Sequence, residues 1–275
     1  EGENCLKVET KNVQLLGTVT DAGQVVSGMV IHYSNNPLVT VSGVGLDTYT
    51  VHAVNNIDEE LAGTGVVSYG NYEIDRKIVK TEVRGSQVTV YFDQSEGATL
   101  CYTSASRNYP GDLTYTITQN KPITVSTLGL FPESYTTDYF CDNSVLDEEV
   151  AKFTSEIVPG GINYQLYKPE GGADKLVVWF HGNGEGDMLG SNNNMAQMLG
   201  NRGAVAWASD EFQEILGGAY VLAFQAPDTW YYAQRDGLLD QAAAEIEAVV
   251  SVYGIDPGKI ILTGCSAGGY MSTRM

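Results

Sequence analysis

Three short apolar runs constrain this chain more than any other feature: LVVWF at 176–180, YVLAF at 220–224 and KIILT at 259–263. Apolar residues at consecutive positions, over a length too short for a helix, suit strands covered on both faces. Between the second and third runs the apolar positions fall at Ala242, Ala243, Ile246, Val249, Val250 and Tyr253. That spacing is one helical stripe, and Gly254 is placed to end it. Phe153–Val158 and Ile162–Tyr167 flank Pro159-Gly160-Gly161 and predict a hairpin, while 194–199 and 210–216 predict short helices. Strands that alternate with helices imply right-handed crossovers and a parallel sheet. Residues 150–275 are therefore expected to be an α/β domain built on a parallel sheet.

The first half has a different period. Val25–Tyr33, Val39–Val44, Thr48–Val54, Gln87–Phe92 and Leu113–Thr118 alternate apolar and polar residues, with Gly, Asn, Asp and Pro between them. Short strands at this density predict an all-β, immunoglobulin-like sandwich over residues 1–125, with a small barrel as the alternative. No Cys–Trp–Cys spacing marks an antibody-type domain. Residues 126–149 carry few periodic signals and are expected to be a connector.

The formal charge of −19 comes without any basic cluster, which argues against a nucleic-acid partner. No apolar run reaches membrane-spanning length, so no membrane partner is expected. The four cysteines form no CxxC pair and the three histidines are scattered, so no metal site is expected. Cys265 is expected to be a buried thiol, and Cys5, Cys101 and Cys141 allow one disulfide of unknown pairing. The Thr-, Asn- and Tyr-rich, lysine-poor first half has the composition of an exported protein, which makes a secreted or extracytoplasmic location the expectation. A chain beginning Glu1-Gly2 is compatible with a leader already removed.

Gly264-Cys265-Ser266-Ala267-Gly268 is a G-x-S-x-G sequence, directly after an expected strand and before an expected helix. A free hydroxyl is a weak nucleophile, and a tight strand-to-helix turn presents it to a base and to a carbonyl. The helix that follows aims unpaired N–H groups at developing negative charge. A second element, His181-Gly182-Asn183-Gly184-Glu185-Gly186, follows the LVVWF run. Its glycines allow an N–H of Asn183 or Gly184 to join that of Ala267 in an oxyanion hole. A phosphate-binding loop is disfavoured there, because Glu185 and Asp187 stand where a phosphate would lie, and no cofactor is expected. His181 is read as shaping this loop through hydrogen bonds.

With these motifs in order, VVWFHGNGEGD, GAVAWASDEFQ, YVLAFQAPDTW and YGIDPGKIILTGCSAGGYMS resemble the α/β-hydrolase esterases that carry an immunoglobulin-like domain ahead of the catalytic domain. They are also similar to polyhydroxybutyrate-depolymerase-like and feruloyl-esterase-like enzymes, and more distantly to prolyl-oligopeptidase catalytic domains. The resemblance spans about residues 150–275. It implies a serine carboxylesterase acting on a small ester, with Ser266 as nucleophile, Ala267 with Asn183 or Gly184 as oxyanion donors, and Trp230 as a wall of the substrate pocket. A serine peptidase of the same fold and a non-catalytic binding module are the alternatives.

The family order places an acid and a histidine after the nucleophile, and neither follows Ser266 here. The triad acid and base are therefore expected from a further segment as a second chain, or from a homo-oligomer partner. The KIILT strand is expected to have an unpaired or partner-paired edge.

Overall fold

The computed structural model describes residues 9–57, 64–188 and 193–275. Its first half contains β1 (Lys11–Thr20), β2 (Gly23–His32), β3 (Val39–Ser42), β4 (Tyr49–Asn56), β5 (Tyr72–Asp75), β6 (Ile78–Arg84), β7 (Gln87–Phe92), β8 (Leu100–Tyr102), β9 (Asn108–Pro110), β10 (Asp112–Gln119), β11 (Ile123–Thr127), β12 (Leu130–Tyr135) and β13 (Tyr139–Leu146). Alternation drives these elements: in β7 Val88, Val90 and Phe92 are buried while the residues between them are half-exposed. They meet Met29, Ile31, Tyr49, Val51 and Tyr115 in one apolar cluster. Burying side chains of this size contributes about 1.5–3 kcal/mol each relative to exposure.

The strands form a five-stranded sheet, β13-β1-β2-β7-β6, two three-stranded sheets, β10-β4-β5 and β12-β11-β3, and the β8-β9 hairpin. This is a set of small sheets, where an immunoglobulin-like two-sheet sandwich was expected. The stretch expected to be a connector, 126–149, holds β12 and β13. β13 runs parallel to β1, with Lys11 opposite Tyr139. Its inward positions, Tyr139, Cys141, Asn143 and Val145, are only half-buried. Asn143 among them interrupts the apolar alternation, which hides the strand from a reading of period.

The second half adds β14 (Phe153–Glu156), β15 (Tyr164–Tyr167), β16 (Leu176–Phe180), β17 (Tyr220–Phe224) and β18 (Ile260–Gly264). Its helices are α1 (Ala196–Leu199), α2 (Asp210–Leu216), α3 (Leu238–Tyr253) and α4 (Ala267–Arg274). The sheet order is β14-β15-β17-β16-β18. β14, β15 and β17 pair antiparallel, and β17, β16 and β18 pair parallel. The expected parallel-sheet α/β class is thereby corrected: the sheet is mixed, and strand outweighs helix, at 42% against 19% of the described residues. The cause is local. The turn at Pro159–Gly161 is too short for a crossover, so β15 returns antiparallel, and within this sheet the parallel neighbours are those whose connections pass through helices.

Period two within β16 and β17 feeds two cores. Leu176, Val178, Phe180, Leu222 and Phe224 face α3, which buries Leu238, Ala242, Ile246 and Val249. Gly254 ends α3 in the left-handed conformation at φ 65°. On the opposite face, Val177, Trp179, Val221 and Ala223 pack on Met198, Leu199 and Val205, together with Val19 and Leu100 of the first half. The first half thus completes a core of the second. β18 differs from the other two apolar strands: among the described residues it pairs only with β16, and Ile261 is 38% exposed. The third apolar run is an edge, not a strand covered on both faces.

Candidate active site

The turn after β18 is tied to the end of β16. Cys265 N donates to Phe180 O at 3.1 Å, which sets the elbow beside the loop that begins at His181. α4 then starts so close to that loop that a Cβ on Gly268 would lie 1.9 Å from Phe180 O and 2.5 Å from His181 O. Glycine is a steric requirement there. Ser266 sits at the apex, at φ 52° and ψ −114°, as the residue preceding the first turn of α4. Positive φ in a residue with a Cβ is costly, and such strain collects at functional sites. Ser266 is an exposed residue. Cys265, expected to be buried, is an exposed free thiol because the outer side of the elbow faces solvent. Cys101 and Cys141 are also free, and Cys5 lies outside the described residues.

Facing the elbow is Gly182, followed by a 3₁₀ turn at Asn183–Glu185. A Cβ on Gly182 would stand 3.7 Å from Cys265 O and 3.9 Å from Ser266 Cβ, so the two motifs meet in space. Among the described residues, no group accepts a hydrogen bond from the backbone N–H of Asn183, Gly184 or Ala267. Free amides at a 3₁₀ start and at a helix start are suited to an anionic oxygen.

His181 is buried and locked: Nδ1–H donates to Gly182 O at 2.5 Å and Nε2 accepts from Ala226 N at 2.9 Å. Burial pushes its pKa down to about 4, so the ring is neutral and shapes the loop. Trp230 is fully buried, 5.4 Å from the Phe180 ring and 5.2 Å from the His181 ring, so it is a prop beneath the loop; the neighbouring Tyr231 and Tyr232 are the exposed aromatics. Among the described residues, no three His, Cys, Asp or Glu side chains gather as metal ligands. No described helix is long and apolar enough to cross a membrane.

No family model and no curated protein matches the sequence. Among solved structures, the crystal structure of a thermostable esterase superposes over 98% of this chain and 74% of its own, with a TM-score of 0.71 and 23% identity. This chain shares the fold of that esterase over the superposed length. A glycosylation-associated protein complex (Gap123) from Streptococcus agalactiae also aligns, over 95% of this chain and 46% of its own, at 12% identity and a TM-score of 0.24, too low to carry an argument.

Within the esterase-like fold, three contributors to the site had gone unnoticed in the sequence, and a fourth, Glu185, had been read only as excluding a phosphate. Arg107, in the β8–β9 loop of the first half, donates from Nη2 to Asp228 Oδ1 at 2.7 Å. Beside it, Asn108 Nδ2 would lie 3.2 Å from a Cβ on Gly184. Gln225, buried after β17, donates from Nε2 to Glu185 O at 3.0 Å and accepts from Asn194 N at 2.9 Å, bracing the loop. Glu185 itself is buried. Only Gln225 left a usable signal, a polar residue directly after a wholly apolar strand. The two residues from the β8–β9 hairpin reach the site by a packing that no local pattern encodes.

Proposed function

We propose that this chain carries the nucleophile of a serine carboxylesterase. Ser266 Oγ attacks the carbonyl carbon of an ester as its proton passes to a base, and the carbonyl oxygen becomes an oxyanion. The amides of Ala267 and of Asn183 or Gly184 receive that oxygen, and each such donor stabilises the transition state by about 3 kcal/mol. Collapse expels the alcohol and leaves an acyl-serine, and water then releases the acid by the same steps. One observation carries this reading: an exposed serine is held at positive φ, against a glycine loop in which, among the described residues, the N–H groups of Asn183 and Gly184 are unengaged.

The base is a separate matter. His181 is locked and neutral, and His32 and His52 belong to β2 and β4 of the first half. His52 is engaged there with Asp75 and Glu73. On this reading none of the three histidines in these 275 residues is the base. The test is Ser266→Ala in the natural gene product, assayed with a chromogenic short-chain ester. Loss of turnover supports the assignment, and retained turnover overturns it.

A further inference from the structure

The oxyanion loop encloses a carboxyl group that the reaction above does not use. Glu185 closes the 3₁₀ turn: its N–H donates to Gly182 O at 3.3 Å. Its side chain folds back beneath the loop. A Cβ on Gly182 would lie 3.3 Å from Glu185 Oε2 and 3.9 Å from Ser266 Cβ, so carboxylate and serine flank one point. On the other side, a Cβ on Gly200 would lie 2.5 Å from Oε1. Gly182 and Gly200 thus make the slot that this carboxyl fills, and it is only 7% exposed. One long hydrogen bond reaches it from a side chain, from Asn201 Nδ2 at 3.5 Å. Burial pushes the Glu185 pKa up to about 7, against smaller opposing pulls from its own backbone N–H and then from Arg107. The charged group that acts on it is Arg107 from the β8–β9 loop, itself paired with Asp228, while the neutral His181 and Asp187 lie four positions before it and two after it in the chain.

We propose that Glu185 is a positioning residue that sets the oxyanion loop through one proton. Its neutral carboxyl packs in the slot and lets the loop amides close on Ser266. Its carboxylate lacks solvation there, loosens the closed loop, and puts negative charge beside the position where the substrate oxygen becomes negative. The coupling to catalysis rests on Ser266 being the nucleophile; the coupling to the loop does not.

The experiment has two arms on the natural gene product. In the first, the ¹⁵N–¹H signals of Gly182 and Gly184 are followed against pH. They are expected to move with a midpoint of about 7 in the wild type and to stay flat in E185Q. Signals that are flat in the wild type, or that titrate equally in E185Q, overturn the proposal. Should E185Q not fold, the wild-type Glu185 ¹³Cδ shift replaces it, and a midpoint different from that of Gly184 overturns the proposal.

In the second arm, the ratio of kcat in E185Q to kcat in the wild type, on a short-chain p-nitrophenyl ester, is expected to rise about tenfold from about pH 6 to about pH 8.5, with KM little changed. A ratio independent of pH, which is what a merely structural role gives, overturns the catalytic coupling. Ser266→Ala runs alongside. If ester turnover survives it, the esterase reading fails and the amide titration alone decides the role of Glu185.

Discussion

Arg107 and Asp228 join the two halves of the chain: the guanidinium Nη2 meets Asp228 Oδ1 at 2.7 Å and also lies 3.4 Å from Asp228 O. The arginine side chain is 5% exposed and the aspartate 58%, so the pair is anchored from the β side. It holds the loop that continues into Trp230, and a Cβ on Gly186 would lie 1.8 Å from Asp228 O. The candidate oxyanion loop is therefore braced by a residue of the first half.

Arg107→Ala removes that brace and leaves a buried gap. A charge-assisted bond of this kind contributes about 1.5–3 kcal/mol, so the variant is expected to lose stability in that range by urea denaturation. Asp228→Asn, on the exposed side and still able to accept a hydrogen bond, is expected to lose less than about 1.5 kcal/mol. Equal losses would show that the bond does not bridge the halves in the way described.

Gly268→Ala sets a Cβ against backbone on both sides, 1.9 Å from Phe180 O and 2.5 Å from His181 O. Neither carbonyl moves without displacing β16 or its loop, and the expected cost is about 3 kcal/mol or more. Gly269→Ala is the control, since its Cβ would meet Gly264 O at an ordinary 3.7 Å. Helix propensity favours that variant by up to about 1 kcal/mol. Thermal melts of the two variants should move in opposite directions.

His181 makes stability depend on acid. Its folded pKa, about 4, lies below the ordinary 6.5. As pH falls below 6.5 the unfolded chain takes up a proton that the folded chain refuses, so stability is full above 6.5 and drains away as pH falls towards 4. The loss has an upper bound of about 3 kcal/mol. A melting temperature that declines less steeply between those limits in His181→Asn than in the wild type is the expected result.

Glu185 acts in the other direction. Its folded pKa, about 7, lies above the ordinary 4.5, so the folded chain holds its proton more tightly than the unfolded one. Stability from this group is complete below 4.5 and is lost as pH rises through 7. E185Q, which cannot ionise, is expected to match the wild type near pH 4 and to exceed it in alkali by up to about 3 kcal/mol. Coincident unfolding curves at high pH would contradict the burial described for this carboxyl.

Much of the candidate site was legible because its chemistry is local. Gly264, Ser266 and Gly268 state a strand-to-helix turn by spacing alone, and the structure places Ser266 there at φ 52°. The glycines of 182–186 likewise stood out beside a strand end. Trp230 could be seen as an aromatic on a loop, but not as a buried prop between Phe180 and His181. Whether an aromatic lines a cavity or fills one depends on what packs over it. β13 was missed because one polar residue on its inner face broke the alternation.

Strand, helix and turn identity are settled within a few residues by hydrogen-bond geometry and side-chain period, so the sequence by itself determined β16, β17, α3 and the serine turn. Strand order and direction were decided only in three dimensions. A mixed sheet order, and a β8–β9 hairpin that delivers Arg107 and Asn108 to the loop of a distant segment, follow from burial and charge pairing between segments far apart in sequence. Contacts between residues far apart in sequence leave no period to read, because their energy depends on where the two surfaces meet and not on what neighbours each residue in sequence.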